Sequence, residues 1–326
     1  MKFNKMMMML TLITIILWGM SSTSWFTIWI TLEMSMMMMI PLMMINPNQQ
    51  HTESSMKYFL IQAISSTSFI TLTFLMTFNL NIITINGINT FILFIIMMKI
   101  GMVPFFSWYI EILSKSSNLS MKLIMTIQKI LPINIISFFI NSSKMSMTII
   151  ALNALLMPIM GINQILIKKI MIFSSITAMS WMLISSMISL NLFLMFIMIY
   201  TNLMTLILDF MNLHKIKTLN QMFNLKNLIM NLNIISLAGI PPFSSFILKW
   251  ILLEMMMKFN MIFLAISMII SSLISMYFYL RMMIHSMMIS FTKMKWLTFK
   301  MQTIKPMMMM KSMLNFLLIP LMSMFT

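Results

Sequence analysis

The chain has 326 residues, of which 60% are hydrophobic and 8% charged, with a net charge of +16 and a mean hydropathy of +0.98. This composition leaves too little polar surface to cover a soluble domain, so it indicates an integral membrane protein. The absence of cysteine and the scatter of three histidines argue against iron–sulfur, haem and thiolate metal sites. The basic residues lie between apolar runs, as loop charges do, which argues against nucleic-acid binding.

Methionine is unusually frequent, with 53 residues and runs at 6–9, 36–39 and 307–310. Met-rich clusters can bind copper, but methionine is spread here through every apolar run, where it packs as an unbranched substitute for leucine. The joint excess of Met, Ile, Asn, Lys and Phe is typical of an AT-rich mitochondrial gene whose code reads ATA as methionine. No Arg- and Ser-rich amphipathic segment precedes the first apolar run, so we expect synthesis inside the organelle.

Eleven apolar runs of about membrane-spanning length follow one another with mostly brief connections. The runs are 6–22, 25–45, 57–79, 90–111, 120–140, 145–161, 165–189, 191–211, 227–257, 259–284 and 308–325. This pattern predicts an all-α, polytopic membrane protein with about 11 transmembrane helices. We expect one transmembrane domain over residues 1–326 and no soluble domain.

The charges are distributed asymmetrically over these runs. With eleven spans, the N-terminus and every even-numbered loop share one side of the membrane. Sixteen of the 21 Lys and Arg residues fall on that side, two on the other and three inside runs. Because positive charge collects on the inner side, we expect the N-terminus in the matrix and the C-terminus in the intermembrane space.

The fourth run contains a charge and a helix break, FILFIIMMKIGMVPFFSWYIE. Lys99 lies near its middle, where a cation is costly and normally faces a protein interior or a wet cavity. Pro104 cannot donate a hydrogen bond to Ile100, and its ring crowds that carbonyl, so the helix should divide after Lys99, around Gly101 and Pro104. Irregular backbone at membrane depth is tolerated where it is buried or lines water, so this run predicts a polar path through the membrane.

Two more ionisable residues lie centrally in apolar runs. Glu33 occupies the second run, where a carboxylate must be protonated, hydrated or paired. Lys129 occupies the fifth run and is followed by Pro132. These positions, together with Lys99, are typical of ion transport.

A second break is predicted in the ninth run, which contains SLAGIPPFSSFILKW. As one helix, residues 227–257 would extend about 45 Å, well beyond a hydrocarbon core of about 30 Å. Two half-helices that meet at Gly239, Pro241 and Pro242 fit better, with Lys249 just beyond the break. No metal site is predicted.

Each of these features also has a purely structural interpretation. A lysine near a helix end can extend to the interface, a proline can merely kink a packed helix, and a glutamate can be a neutral hydrogen-bonded group. One Glu and three Lys at central depth, two of them beside Gly/Pro breaks, favour transport over that interpretation. Solvation or loop pairing is expected for the acidic residues near run ends or in loops, which are Asp209, Glu53, Glu111 and Glu254.

Four segments carry a family resemblance. KIGMVPFFSWYIE is similar to KxGxxPFHxWxPE, TIQKILPI to WQKxxP, GINQILIKKIMIFSSITAMSW to GxNQxxxRKxxAFSSIxHxGW, and SLAGIPPFSSFILKW to SLxGLPPFxGFxxKW. These are segments of the mitochondrial NADH dehydrogenase subunit 2 family, in the same order and spacing. The resemblance covers essentially the whole chain and implies an antiporter-like fold, truncated by three N-terminal helices relative to a 14-helix form.

The resemblance implies a role for each buried charge. Glu33 matches the family's buried glutamate, Lys99 the lysine paired with it, Lys129 the central connecting lysine, and Lys249 the terminal lysine on the second broken helix. Because a nearby carboxylate favours the charged form of a lysine, a changed Glu33–Lys99 interaction would determine whether Lys99 holds a proton or releases it toward Lys129 and Lys249.

The chain also departs from the family pattern. Phe106 replaces the histidine of PFH, Ile110 replaces the proline before the glutamate, and Ala178 and Ser180 replace the histidine and glycine of SSIxHxGW. A proton relay through those histidines cannot operate in this chain.

The resemblance implies a core membrane-arm subunit of respiratory complex I in the mitochondrial inner membrane, coupling electron transfer from NADH to ubiquinone to proton translocation. No cofactor would bind this chain; NAD, FMN, iron–sulfur clusters and ubiquinone would bind partner subunits. The implied partners are subunits 4, 4L, 3 and 6, accessory subunits and membrane lipids. Two alternatives remain open: a stand-alone cation/proton antiporter, which should retain the three missing helices, and a purely structural membrane subunit.

Overall fold

The computed structural model describes residues 2–45, 48–77, 85–140, 144–224, 228–241, 243–292 and 312. Thirteen α-helices and one short 3₁₀ helix lie within these ranges. The helices are α1 Lys2–Ser21, α2 Trp25–Met43, α3 Gln49–Thr77, α4 Ile85–Ile100, α5 Ser107–Lys115, α6 Asn118–Met125, α7 Ile127–Ile140, α8 Lys144–Ile162, α9 Ile167–Ile188, α10 Leu190–His214, α11 Leu228–Ala238, α12 Ser244–Lys258 and α13 Ile262–Thr292. The 3₁₀ helix Leu219–Asn224 precedes α11.

The predicted all-α membrane fold is confirmed. The first ten apolar runs each correspond to one helix or to a pair of consecutive helices. Within the described ranges, seven helical spans are long and apolar enough to cross a membrane, and three shorter apolar helices include most of α1, α4 and α11. Three parts of the sequence predictions lie outside the described residues: the eleventh run at 308–325 apart from Ser312, Pro242, and the lysines between 293 and 305.

The helices group into two compact units, Met1–Asn153 and Ala154–Thr326. In the first unit α2 packs between α1 and α3, α3 also packs on α4 and α5, and α7 packs against α1, α4 and α6. In the second unit α12 packs against α9, α10, α11 and α13. The expectation of one transmembrane domain stays a prediction.

Helix starts and prolines follow local rules. Ser24, Ser117 and Ser189 cap α2, α6 and α10 by accepting a backbone N–H with the side-chain oxygen. Proline alone does not end a helix in this protein, because α2, α7 and α8 each continue through one. The divisions between α4 and α5 and between α11 and α12 occur where a glycine with positive φ precedes a proline, whereas α6 and α7 divide near Thr126 without either residue.

Charged groups of even-numbered loops come together in the first unit. Lys57 and Lys115 each contact both Glu53 and Glu111, with Nζ–Oε1 distances of 2.8 Å for Lys57–Glu53, 2.7 Å for Lys115–Glu53 and 3.1 Å for Lys115–Glu111. The hydrogen bonds from Lys115 to Glu53 and then Glu111 raise the pKa of Lys115. Its charge is therefore present at neutral pH, and its stabilising effect is lost only at alkaline pH. Glu53 and Glu111 thus pair with loop lysines, which is one of the two roles expected for them. The two loops also lie at the same end of the first unit.

Two even-numbered loops also come together in the second unit. The N–H of Ile167 donates to the carbonyl of Lys217 at 3.1 Å, and the N–H of Leu219 donates to the carbonyl of Ile165 at 3.2 Å. These bonds join the loop before α9 to the loop after α10. Both loops therefore lie at one end of the unit, as the charge count requires.

Candidate functional site

The first predicted break separates α4 from α5. Gly101 has φ +78°, and the N–H groups of Gly101 and Met102 both donate to the carbonyl of Met97, which closes α4 at Ile100. A Cβ on Gly101 would lie 2.5 Å from the Cβ of Tyr109. Only glycine fits, because both the backbone conformation and the close approach of α5 exclude a side chain.

Another helix supplies a partner to the broken backbone. The N–H of Val103 donates to Oδ1 of Asn153 on α8 at 3.4 Å, and Asn153 is fully buried. Pro104 follows within the same irregular segment, and the Val103–Pro104 bond is cis. The amide of Asn153 thus satisfies one of the donors that the missing helical turn leaves free.

Lys99 lies in the last turn of α4, directly before the break. Its side chain is buried, with 7% exposure. The carbonyl of Lys99 accepts a hydrogen bond from Nε2 of Gln62 at 2.9 Å, which ties the end of α4 to α3. The C-terminal end of a helix carries partial negative charge, so this position favours the ammonium group.

Glu33 lies on α2 and is half-buried. Its Oε1 accepts a hydrogen bond from the hydroxyl of Ser66 on α3. The Glu33 carboxylate acts electrostatically on Lys99, yet Glu33 and Lys99, both within the described ranges, form no ion pair within 4.0 Å. The two charges therefore interact across a gap that a small shift of either helix would change.

Lys129 lies in the first turn of α7 and is 3% exposed. Its Nζ lies 5.3 Å from the centre of the Tyr109 ring, within the range of a cation–π interaction. Lys129 and Lys99 line the same small cavity. The other polar side chains of this cavity are Ser35, Tyr58, Gln62, Trp108, Tyr109 and Gln128.

The second predicted break separates α11 from α12. Gly239 has φ +80° and directly follows the last residue of α11, and Pro241 lies between the two helices. Lys249 on α12 extends back to this break, where its Nζ donates to the carbonyl of Ala238 at 3.4 Å. A Cβ on Gly239 would lie 2.8 Å from that Nζ, so the glycine makes room for the ammonium group.

Lys249 also lines a small cavity within the second unit. Its Nζ lies 5.8 Å from the ring centre of Trp181 on α9. Ala178, which stands where the resemblance predicts a histidine, lines the same cavity. The remaining polar lining consists of Ser174, Thr177, Tyr200, Ser245, Ser271, Ser275 and Tyr279.

The two sites resemble each other in the position of the lysine and in the cavity beside it. Lys99 lies in the last turn of the half-helix α4, and the Lys249 ammonium donates to the last carbonyl of the half-helix α11. A cavity with several hydroxyl groups adjoins each lysine. Discontinuous membrane helices commonly bind cations through such helix ends and unwound carbonyls. No cluster of three or more His, Cys, Asp or Glu side chains suited to a metal occurs in the part of the chain that the structure describes.

The site includes residues that the sequence pattern alone did not single out. Three of these residues are polar amides inside apolar runs: Gln62, Asn153 and Gln128. Their polarity in an apolar context could have indicated a role in the site. Tyr109 and Trp181 gave no such signal, because aromatic residues are common in membrane helices. Only the folded structure brings Tyr109 on α5 to Lys129 on α7, and Trp181 on α9 to Lys249 on α12.

Comparisons with known proteins identify the family of this chain. The family described as NADH:quinone oxidoreductase/Mrp antiporter, TM, matches residues 22–275. NADH-ubiquinone oxidoreductase chain 2 of Anopheles gambiae is 33% identical over 299 residues, covering 88% of this chain and 85% of the relative. The protein of the same name from Dugong dugon is 32% identical over 297 residues, covering 85% of each chain.

Two solved structures show the same fold at low identity. A chain of respiratory complex I from Thermus thermophilus has a TM-score of 0.77 at 16% identity, covering 93% of this chain and 75% of that one. A chain of the Mrp complex from Dietzia sp. has a TM-score of 0.72 at 15% identity, covering 84% of this chain. This chain spans 59% of that Mrp chain. The protein is thus a multi-pass membrane protein that belongs to the NADH:quinone oxidoreductase/Mrp antiporter family, among the NADH-ubiquinone oxidoreductase chain 2 proteins.

Proposed function

We propose that this chain moves protons across the mitochondrial inner membrane as a membrane-arm subunit of NADH:ubiquinone oxidoreductase, through Glu33, Lys99, Lys129 and Lys249. The observation that carries the proposal is the shared cavity of Lys99 and Lys129, which lies directly beside the break between α4 and α5. A packing role alone would not require two buried lysines to face one polar cavity, since each is costly to bury.

Glu33 sets the state of Lys99 in this proposal. Its carboxylate favours a proton on Lys99 when the two groups are close, and favours release when the gap widens. The released proton passes to Lys129 through the cavity, whose hydroxyl and amide groups can orient water. Lys249 is the corresponding proton-holding group of the second unit, held at the end of α11.

The reaction and the cofactors belong to the assembly. NAD, FMN, the iron–sulfur clusters and ubiquinone bind to partner subunits, and ubiquinone reduction there drives the change at Glu33. The partners on the membrane side are subunits 4, 4L, 3 and 6, with accessory subunits and membrane lipids. The names of the relatives support this assignment. The charge count supports an N-terminus in the matrix and a C-terminus in the intermembrane space.

Glu33→Gln in the assembled complex tests the proposal. Glutamine keeps an oxygen that accepts the Ser66 hydrogen bond but removes the charge that acts on Lys99. We expect a normal amount of assembled complex and fewer protons moved per NADH oxidised. Glu33→Asp, which keeps the charge on a shorter side chain, should retain more of the pumping.

The structural alternative makes the opposite prediction for the same variant. If the charge of Glu33 served helix packing only, Glu33→Gln would either assemble poorly or assemble and pump normally. Either outcome contradicts the proposal. The amount of complex is measured by native gel, and the protons per electron pair in sealed vesicles.

A further inference from the structure

The half-helix α11 has a polar attachment to the long helix α13 in the second unit. The hydroxyl of Ser286 on α13 donates to Oδ1 of Asn231 on α11, and both side chains are buried. A buried hydrogen bond of this kind is costly to break, because each partner would be left unsatisfied away from water. The end of α11 is therefore a fixed point against which the second half-helix, α12, is placed.

Two side chains of α12 reach back across the break to the end of α11. The hydroxyl of Ser245 donates to the carbonyl of Ser236, and Nζ of Lys249 donates to the carbonyl of Ala238 at 3.4 Å. Both acceptors belong to the last turn of α11, where a helix leaves carbonyls without intrahelical partners. Ser245 and Lys249 are four residues apart, so they share one face of α12, and both line the cavity of this unit.

The hydrogen bond of Lys249 is long. Its 3.4 Å exceeds the usual range of about 2.7–3.2 Å, and no second hydrogen bond from Nζ occurs among the described residues. The ring of Trp181 is 5.8 Å away, and Ala178, where the family pattern has a histidine, carries no polar side-chain atom. The position of the ammonium group therefore depends on how α12 is attached, and Ser245 makes the second side-chain hydrogen bond that the structure describes between α11 and α12.

Ser245 differs from other hydroxyl residues of the same cavity. Thr177, Ser271 and Ser275 each donate to a carbonyl three residues earlier in their own helix. Ser245 instead donates to Ser236 on another helix. The pattern SLxGLPPFxGFxxKW has a glycine at this position, and a glycine has no hydroxyl to donate. The contact between α12 and the end of α11 is thus an addition of this chain to the pattern.

We propose that Ser245 is a positioning residue, whose hydroxyl bonds α12 to the last turn of α11 and so holds the Lys249 ammonium at the Ala238 carbonyl. Ser245 acts through Lys249 and transfers no proton itself. The inference rests on the proposed function for the part that Lys249 takes in proton transfer. Misplacing a reacting group by about 1 Å can slow a reaction about 100-fold, and the Lys249 contact is already long.

Ser245→Ala in the intact complex tests the proposal. Alanine favours the helix and removes the hydroxyl alone, so the complex should assemble in normal amount. We expect an experimental map of the variant to show Nζ of Lys249 displaced from the Ala238 carbonyl. NADH-driven proton transfer in sealed vesicles should fall, by up to about 100-fold. Ser245→Thr keeps a hydroxyl and should retain most of the contact and of the transfer.

Ser244→Ala is the matched control. Ser244 is the preceding residue, is 2% exposed, and its hydroxyl has no hydrogen-bond partner within the described ranges. Its replacement should change neither the position of Lys249 nor the pumping. Ser245→Gly, which also removes the hydroxyl, provides the same test if the alanine variant assembles poorly.

Two readouts distinguish the failure of this inference from the failure of the proposed function. Normal pumping by Lys249→Met would contradict the part assigned to Lys249, whereas a displaced Lys249 in the Ser245→Ala map would still support the positioning role. An unmoved Lys249 in the maps of Ser245→Ala and Ser245→Gly would overturn the positioning role, whatever the pumping. So would an equal displacement in Ser244→Ala, or a Ser245→Thr variant that behaves like Ser245→Ala.

Discussion

Lys129→Met in the assembled complex is expected to lower coupled proton transfer by about 100-fold to 10,000-fold, the usual effect of removing a positioned acid–base group. Lys129 is 3% exposed and shares its cavity with Lys99. A lysine on the water-exposed surface therefore cannot take over its role in that cavity. Methionine is unbranched and of similar length, so it fills the site without a large cavity. The complex should assemble, and the protons moved per NADH in sealed vesicles should fall.

Lys122→Met provides the matched control for this variant. Lys122 lies on the neighbouring helix α6 and does not line the cavity. Its replacement should leave pumping near the normal value. The proposed role of Lys129 is wrong if both variants pump normally, or if Lys129→Met prevents assembly while Lys129→Arg, whose guanidinium cannot release its proton, restores both assembly and normal pumping.

Gly101→Ala is expected to destabilise the protein by about 2–5 kcal/mol. The left-handed conformation costs an alanine about 1–2 kcal/mol, and forcing a methyl group against a packed neighbour costs about 1–3 kcal/mol more. The neighbour is the Cβ of Tyr109, 2.5 Å from the added atom, which cannot move without α5. We expect much less assembled complex and a lower thermal midpoint for what remains.

Gly161→Ala and Gly239→Ala complete this comparison. Gly161 lies within α8 without a positive φ, and its added Cβ would meet its nearest neighbour at 3.3 Å instead of 2.5 Å, so the change should destabilise the protein much less than Gly101→Ala does. Gly239 also has positive φ, but its added Cβ would meet the flexible end of the Lys249 side chain. Gly239→Ala should therefore displace the ammonium group of Lys249. Per assembled complex, Gly239→Ala should impair pumping more than Gly101→Ala does. Equal assembly of all three variants would contradict this explanation of the breaks.

Much of the fold follows from local sequence. Apolar runs of sufficient length predict helices in a bilayer, and ten of the eleven runs became helices or helix pairs. The division after Lys99 follows from Gly101 and Pro104, since a glycine can take the left-handed conformation that closes α4. The division of the fifth run into α6 and α7 near Thr126 has no glycine or proline at that point, and the sequence did not predict it.

The contacts within the site could be predicted only in part. Glu33, Lys99 and Lys129 were identifiable because charge is costly in an apolar run. Their partners were not, because helix rotation and register depend on packing between distant segments. The contacts of Gln62 with the end of α4 and of Asn153 with the broken backbone join residues 37 and 50 positions apart. A sequence pattern with a period of a few residues carries no information on such pairs.

A water-resolving experimental map of the intact complex tests the central claim most directly. We expect ordered water in the cavity of the first unit, bridging the ammonium groups of Lys99 and Lys129, with the Glu33 carboxylate within one water of Lys99. A cavity filled by side chains, or lysines that extend to separate dry contacts, would contradict a proton path through these residues. The chain would then be a structural member of the membrane arm.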